Sequence, residues 1–408
     1  MGGGMVAGTG VNDLLSQRAR NVTGIHGGGG REGVIFFSAG FPDPASLPYE
    51  GIAEATARAM RTHGQWPLQY GPAFGYEGLL DFLIGKLGRD QGIRCTRDNL
   101  LLTAGAGQAL GLVCDLLLDP GDTILSEQPT WGGAIRDFQN AGVTVETVPL
   151  DGEGTRVDVL EEKLAALQRR GVGPKLLYTL PNFQNPVGVT TTLERRRRIV
   201  ELAERYNLAI LEDDAYFDLR FEGEQLPTLY ELDGGRRVFY VGTFSKILAA
   251  GMRLGWIVGE PGLIARLAGL KVDGSTNPFA AHVAYEFCKD GALEARVREL
   301  IASYRARRDL MLSELLERMP EGVSWSVPEG GFFIWLTLPE GLDAARMLPR
   351  ARERGVEYLP GRACFFDGDG DGRRHIRLAF SYVSDEEAAR GIGILSEVIG
   401  EELRHGQG

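Results

Sequence analysis

Between about Pro48 and Cys288 the chain repeats one pattern: a short apolar run, a turn, an amphipathic stretch of helical period, then another apolar run. Parallel strands need crossover connections, so this alternation predicts a mostly parallel sheet covered by helices on both faces. The apolar runs are Leu100–Thr103, Thr123–Ser126, Val143–Pro149, Lys175–Leu180, Leu208–Glu212, Val238–Gly242 and Leu254–Val258, which makes the sheet seven-stranded. After Cys288 a long helical stretch over Glu294–Met319 leads into further strands at Phe332–Leu336 and His375–Phe380. The expected fold class is α/β: a large domain over residues 48–290, and a smaller α/β domain formed by residues 31–47 and 291–408. Residues 1–30, with Gly27–Gly30 in a row, are expected to form a flexible arm.

Bulk properties narrow the function classes. The formal charge of −11 argues against nonspecific binding to nucleic acid or an anionic membrane. No apolar run approaches a membrane span, and the N-terminus has no signal-peptide core. Cys95, Cys114, Cys288 and Cys364 have no paired spacing, so reduced thiols and a cytoplasmic location are expected. The five histidines are dispersed, and no zinc spacing is present. The acidic loop Asp367-Gly-Asp-Gly-Asp-Gly372 opens like a calcium loop, but Leu378 occupies the position of the closing Glu, so a surface turn is expected. In the helix over Leu193–Tyr206, Glu194 stands four residues before Arg198, an ion-pair spacing, and the run Arg195–Arg198 is expected on a solvated face.

The chemistry-bearing segment is Val241-Gly-Thr-Phe-Ser-Lys-Ile-Leu-Ala-Ala-Gly-Met-Arg-Leu-Gly-Trp-Ile-Val-Gly259. It sets Lys246 between two strand-like runs, with hydroxyls at Thr243 and Ser245 and a guanidinium at Arg253. A desolvated lysine amine can form an imine with an aldehyde cofactor, and the hydroxyls and arginine can hold a phosphate. Leu211-Glu-Asp-Asp-Ala-Tyr216 follows a buried-looking strand, where loops of parallel α/β sheets build ligand sites. A carboxylate there can pair with a protonated pyridine nitrogen; a magnesium site is the weaker reading of the doubled Asp. Thr103-Ala-Gly-Ala-Gly-Gln108 is a Gly-rich strand–helix turn of the kind that presents backbone N–H groups to an anion. A dinucleotide fingerprint would need a third glycine. Arg377, inside the apolar run His375–Phe380, needs an anionic partner or a dense hydrogen-bond network.

Together these segments, spanning about residues 36–400, resemble fold-type-I enzymes dependent on pyridoxal 5′-phosphate (PLP), the aspartate aminotransferase superfamily. The nearest likeness is to the subgroup of 2-aminoadipate and kynurenine aminotransferases, which also includes the effector domains of aminotransferase-like transcription regulators. The resemblance implies a Lys246 aldimine, Asp213 on the ring nitrogen, and Tyr216 on the ring oxygen. In Leu180-Pro-Asn-Phe-Gln-Asn-Pro-Val-Gly188, Asn185 would meet the ring oxygen near the substrate carboxylate; Val187 replaces the usual threonine. Ala106 and Gly107 would contact the phosphate, although relatives often carry hydroxyl or amide side chains there. Trp131 would stack on the ring. Tyr70, in Gln69-Tyr-Gly-Pro-Ala-Phe-Gly75, would cross to the cofactor phosphate of a second copy, which implies a homodimer. Arg377 would clamp the substrate α-carboxylate, and Gly40, in Phe37-Ser-Ala-Gly-Phe-Pro-Asp-Pro44, would lie at the substrate edge. Where relatives have Ser-x-Ile-Arg-Glu, this chain has Thr23-Gly-Ile-His-Gly-Gly-Gly-Gly30, with His26 at the arginine position. That flap is therefore not expected to recognise acidic side chains in the usual way.

The implied function is amino-group transfer between an L-amino acid and a 2-oxo acid. Lys246 would carry the α-proton and Asp213 would stabilise the quinonoid. A secondary-metabolic PLP enzyme that takes the same quinonoid to replacement, cyclisation or oxidation is the alternative. A PLP-sensing regulator would need a helix-turn-helix ahead of the PLP domain, which residues 1–35 are too short and too Gly-rich to provide.

Overall fold

The computed structural model describes residues 10–20, 33–366 and 371–405. Its main sheet runs, in spatial order, Leu100–Thr103, Gly255–Val258, Val238–Thr243, Ala209–Asp213, Leu176–Thr179, Thr123–Gln128, Thr144–Asp151 and Gly154–Thr155. Gly255–Val258 is antiparallel to both neighbours, and Gly154–Thr155 to its one; the other pairings are parallel. All seven expected strands are present. The eighth, Gly154–Thr155, is two residues long, too short to show any alternation in sequence.

Strand period explains the two-sided core. Leu100 and Leu102 face one apolar cluster, and Leu101 faces the other. Leu177, Ile210 and Tyr240 likewise divide from Leu176, Leu211, Phe239 and Val241. Helix Ala106–Leu117 covers one face with Ala109, Leu110 and Val113, and helix Gly132–Ala141 adds Ala134 and Phe138. The opposite face takes Leu79 and Leu83 from Glu77–Gln91, Leu160 and Leu164 from Val157–Arg169, and Ile199 and Leu202 from Leu193–Tyr206. Each such side chain contributes roughly 1.5–3 kcal/mol on burial.

A second, antiparallel sheet orders Ser324–Trp325, Phe333–Thr337, His375–Ala379 and Leu359–Pro360. Long helices Ala292–Arg318 and Asp385–His405 pack on each other beside it. The N-terminal segment joins this part of the molecule: Ile35–Phe36 pairs in parallel with Val356–Glu357, and the Ala379 N–H donates to the Phe37 carbonyl.

The arginine run departs from expectation. Arg196 is fully buried, donating to the carbonyls of Thr191, Pro227 and Pro181 and to Asn182 Oδ1. Consecutive helical residues point about 100° apart, so four in a row cannot share one solvated face. Arg195 and Arg198 stay at the surface, and Arg198 pairs with Glu161 and Glu201 rather than with Glu194. In the N-terminal arm, Val11–Leu14 forms a 3₁₀ turn and Gln17–Arg20 one helical turn; His26 and Gly27–Gly30 lie outside the described residues. All four cysteines are free thiols. Among the described residues no helix is long and apolar enough to cross a membrane.

Candidate active site

The parallel strands of the main sheet end on a common rim, and their C-terminal loops line an open cavity of about 150 Å³. Asp213 ends one strand, Thr243 the next, and Ala106 and Gly107 open the helix after Leu100–Thr103. Trp131 and Asn185 follow two further strands. All of these line the cavity, together with Tyr216, Ser245, Lys246 and Arg253. Arg377 and Gly40 adjoin it through hydrogen bonds to Asn185 and Lys246. Tyr70 stands apart at the surface, 87 % exposed, on the segment whose Gly71 N–H donates to Ser275 Oγ.

Lys246 sits in a single wide π-type turn over Ser245–Ala249, a backbone irregularity common at functional sites. Its Nζ donates to the Gly40 carbonyl at 2.9 Å, with the rings of Tyr216 and Phe332 at 5.7 and 5.5 Å. Burial pushes its ammonium down to about 8; Arg377 and Arg253 add to this and Asp213 opposes it. About a tenth of such an amine is neutral at pH 7, far more than for an exposed lysine, which makes it a better nucleophile.

Asp213 is buried. Its Oδ2 accepts from the Tyr178 hydroxyl at 2.9 Å, and its Oδ1 has no protein partner. Burial lifts the carboxyl to about 6, and the Tyr178 hydrogen bond pulls the other way. An unpaired buried carboxylate oxygen on a cavity wall calls for a cationic N–H donor.

The anion cradle lies at the other end. Gly105 has φ +88°, and a Cβ there would lie 2.8 Å from Arg253 Nη2. Only glycine therefore lets the turn pass this close to the guanidinium. Arg253 Nη2 donates to the Ala104 carbonyl at 2.9 Å, and the Ser245 N–H donates to Thr243 Oγ1 at 3.1 Å. The two hydroxyl oxygens are 2.9 Å apart, beside the N-terminus of helix Ala106–Leu117. Backbone amides, hydroxyls and a guanidinium converge as a phosphate requires. Trp131 caps the wall, and a Cβ at Gly133 would come within 2.3 Å of its indole, so Gly133 is what lets the indole lie there.

Arg377 is a buried cation beside the cavity. Nη1 donates to Asn185 Oδ1 at 2.9 Å and Nη2 to the Ser38 carbonyl at 2.6 Å. Its Nε is buried with no partner, and the guanidinium lies 4.1 Å from the Phe333 ring centroid. Among the described residues no carboxylate pairs with it, and burial lowers its proton affinity.

Several supporting residues escaped the sequence reading. Tyr178 sits in the apolar run Leu176–Thr179, where the signal was only that a buried tyrosine hydroxyl needs a partner. Glu127 is fully buried and accepts from Thr155, Thr179, the Leu180 N–H and Gln184. Gln184 in turn accepts from the Val187 N–H, bracing the turn that carries Asn185. Phe332 and Phe333, which face Lys246 and Arg377, look in sequence like ordinary strand core.

Comparison with known proteins agrees with this geometry. Residues 32–395 match the family described as aminotransferase class I and II. Over 373 residues the chain is 41% identical to aromatic-amino-acid aminotransferase 1 of Thermococcus litoralis, covering 91% of this chain and 89% of that one. It is 35% identical over 374 residues to the 2-aminoadipate transaminase of Thermus thermophilus, covering 90% and 91%. Among solved structures, the Pyrococcus horikoshii kynurenine aminotransferase in complex with PMP superposes with a TM-score of 0.90 at 39% identity, covering 96% of this chain and 98% of that one. PMP is the amine form of pyridoxal phosphate. With Asp213 Oδ1 open at one end of the cavity and an anion cradle at the other, the site fits that cofactor. The chain belongs to the class I and II aminotransferases, and it is an enzyme that transfers amino groups between amino acids and oxo acids with pyridoxal 5′-phosphate as its cofactor.

Proposed function

We propose that the enzyme takes L-amino acids with apolar or aromatic side chains as donors, with Lys246 as the catalytic base and Arg377 as the carboxylate clamp. The cofactor, when bound, supplies an aldehyde carbon and an electron-withdrawing pyridine ring. Lys246 Nζ would hold the cofactor's aldehyde carbon and, when free, would carry the proton of the substrate Cα. Asp213 Oδ1 would accept the ring N–H and keep the ring positive. Tyr216, and the amide nitrogen that Asn185 has left after committing Oδ1 to Arg377, meet the ring oxygen. Trp131 stacks on the ring. Thr243, Ser245, Arg253 and the backbone N–H groups of Ala106 and Gly107 hold the phosphate.

The observation that carries this reading is the buried Arg377 guanidinium, charged yet without a carboxylate partner among the described residues. A substrate α-carboxylate supplies the missing anion in bidentate geometry. Phe333 lies against the guanidinium and Phe332 lies against Lys246, and both pack on the Tyr216 ring, with centroids 5.7 Å (Tyr216–Phe333) and 5.3 Å (Tyr216–Phe332) apart. Among the described residues the cations at the site besides Arg377 are Lys246 and Arg253, both assigned here to the cofactor. That supports a side-chain pocket that favours aromatic over acidic groups, in keeping with the aromatic and kynurenine aminotransferases named above. Steady-state kinetics with phenylalanine, tyrosine, glutamate and 2-aminoadipate as donors test it: higher kcat/KM for the aromatic pair is expected, and preference for the acidic pair overturns it.

The same reading assigns Tyr70 to the cofactor phosphate of a second copy, in a homodimer. The exposure of Tyr70, Trp66, Leu68, Val272 and Phe279 supports this, since large apolar side chains in one region mark interaction surfaces. The division into a large domain over residues 48–290 and a smaller one from residues 31–47 and 291–408 is supported by the separation of the eight-stranded sheet from the four- and two-stranded ones. A cytoplasmic location is in keeping with the four free thiols.

A further inference from the structure

We propose that Tyr178 is a positioning residue for the reaction: its hydroxyl fixes the Asp213 carboxylate so that Oδ1, and not Oδ2, meets the ring nitrogen. The inference rests on the proposed role of Asp213. Tyr178 lies on the strand beside that of Asp213 and is paired in register with Leu211. Leu211 and Asp213 share a strand face, so the tyrosine ring reaches diagonally toward the carboxylate. The hydroxyl donates to Oδ2 at 2.9 Å, and the ring is held edge-on against Phe138, with centroids 5.5 Å apart. Tyr178 is fully buried, so no water competes for that bond. One carboxylate oxygen is thereby committed, and the other is left buried and unpartnered on the cavity wall.

The surrounding charges make this hydrogen bond matter. Buried Glu127 and the nearby Asp137 act on Tyr178, Glu127 also acts on Asp213, and Lys246 is the cation facing it. Arg377 and Arg253 act in turn on Lys246. Burial and Glu127 both favour the protonated form of Asp213, whereas Tyr178 and Lys246 favour the ionised form that can hold a ring N–H. Without the hydroxyl the carboxylate draws the ring proton toward itself and the ring withdraws electrons less strongly. The visible absorbance of the Lys246-bound cofactor should then titrate at higher pH.

The test compares Tyr178→Phe with Asp213→Asn in the cofactor-loaded enzyme. Three quantities are followed: the pH midpoint of that absorbance, cofactor affinity by titration of the apoprotein, and kcat against KM. Tyr178→Phe preserves the ring packing. We expect an upward shift of the midpoint, weaker cofactor binding, and a fall in kcat of roughly tenfold or more with KM changed less than about twofold. An unchanged midpoint in Tyr178→Phe beside a large change in Asp213→Asn overturns the role of Tyr178 alone. No change in either variant removes Asp213 from the ring nitrogen, and the inference falls with it. Should Tyr178→Phe not fold, 3-fluorotyrosine at position 178 keeps every contact and strengthens the donor. The midpoint must then move downward, and a fixed midpoint overturns the proposal.

Discussion

Replacing Arg377 with methionine should separate substrate recognition from the rest of the site. The guanidinium is buried, makes one hydrogen bond to Asn185 Oδ1 and one to the Ser38 carbonyl, and has no carboxylate partner among the described residues. Losing one member of a buried, hydrogen-bonded charge pair costs about 2–5 kcal/mol, so KM for every α-carboxylate substrate should rise by roughly 30- to 5,000-fold. Stability should change far less. The variant loses two hydrogen bonds but also removes a buried cation that is uncompensated until substrate arrives, and these effects oppose each other. Cofactor affinity should be close to that of the parent, because no phosphate or ring contact is assigned to Arg377. The assay is KM for several amino acids and their oxo acids, with an amine that lacks a carboxylate as control. A rise of less than about threefold would refute the clamp. So would an equal loss for the carboxylate-free amine, because the damage would then be general.

Three further outcomes follow from the geometry. In the cofactor-free protein Lys246 binds its proton less tightly folded (about 8) than unfolded (10.5), so stability should rise with pH across that window, where the unfolded chain carries the extra proton. Lys246→Met should flatten that slope in thermal melts taken between these pH values; an unchanged slope would show that the amine is not desolvated. At Gly107 an added Cβ would meet nothing nearer than the Trp131 indole at 4.0 Å, so Gly107→Ser should be tolerated and add a phosphate donor. The cofactor dissociation constant should fall by a few-fold, about 1 kcal/mol, in apoprotein titrations, and looser binding would show that the cradle has no room there. Tyr70→Phe should weaken cofactor binding by roughly tenfold, and mixing it with Lys246→Ala subunits should restore one competent site per dimer; parental affinity in Tyr70→Phe would place that hydroxyl away from any phosphate.

Much of this was legible in the sequence because the chemistry sits at strand ends, and the strands announce themselves. Asp213, Thr243 and the turn after Thr103 each follow an apolar run, so finding the runs located the rim. What stayed hidden was carried by long-range pairing. Nothing local says that Tyr178 reaches Asp213, because that contact exists only once their two strands lie side by side. In sequence Arg196 looks like its surface neighbours, since consecutive arginines are alike in composition; the turn over Pro181–Asn182 and the Pro227 carbonyl, distant in sequence, make it a buried clamp together with the Thr191 carbonyl. The burial of Arg377 is legible for the opposite reason: an arginine inside an apolar run is anomalous on its own.

The most direct test of the account is a single-turnover reaction of cofactor-loaded enzyme with one aromatic amino acid, with the products identified, in the parent and in Lys246→Ala. The account predicts one equivalent of pyridoxamine phosphate and one of the matching 2-oxo acid in the parent, and neither in the variant. An altered amino acid without pyridoxamine phosphate, or oxo acid formed at parental rate without Lys246, would contradict it.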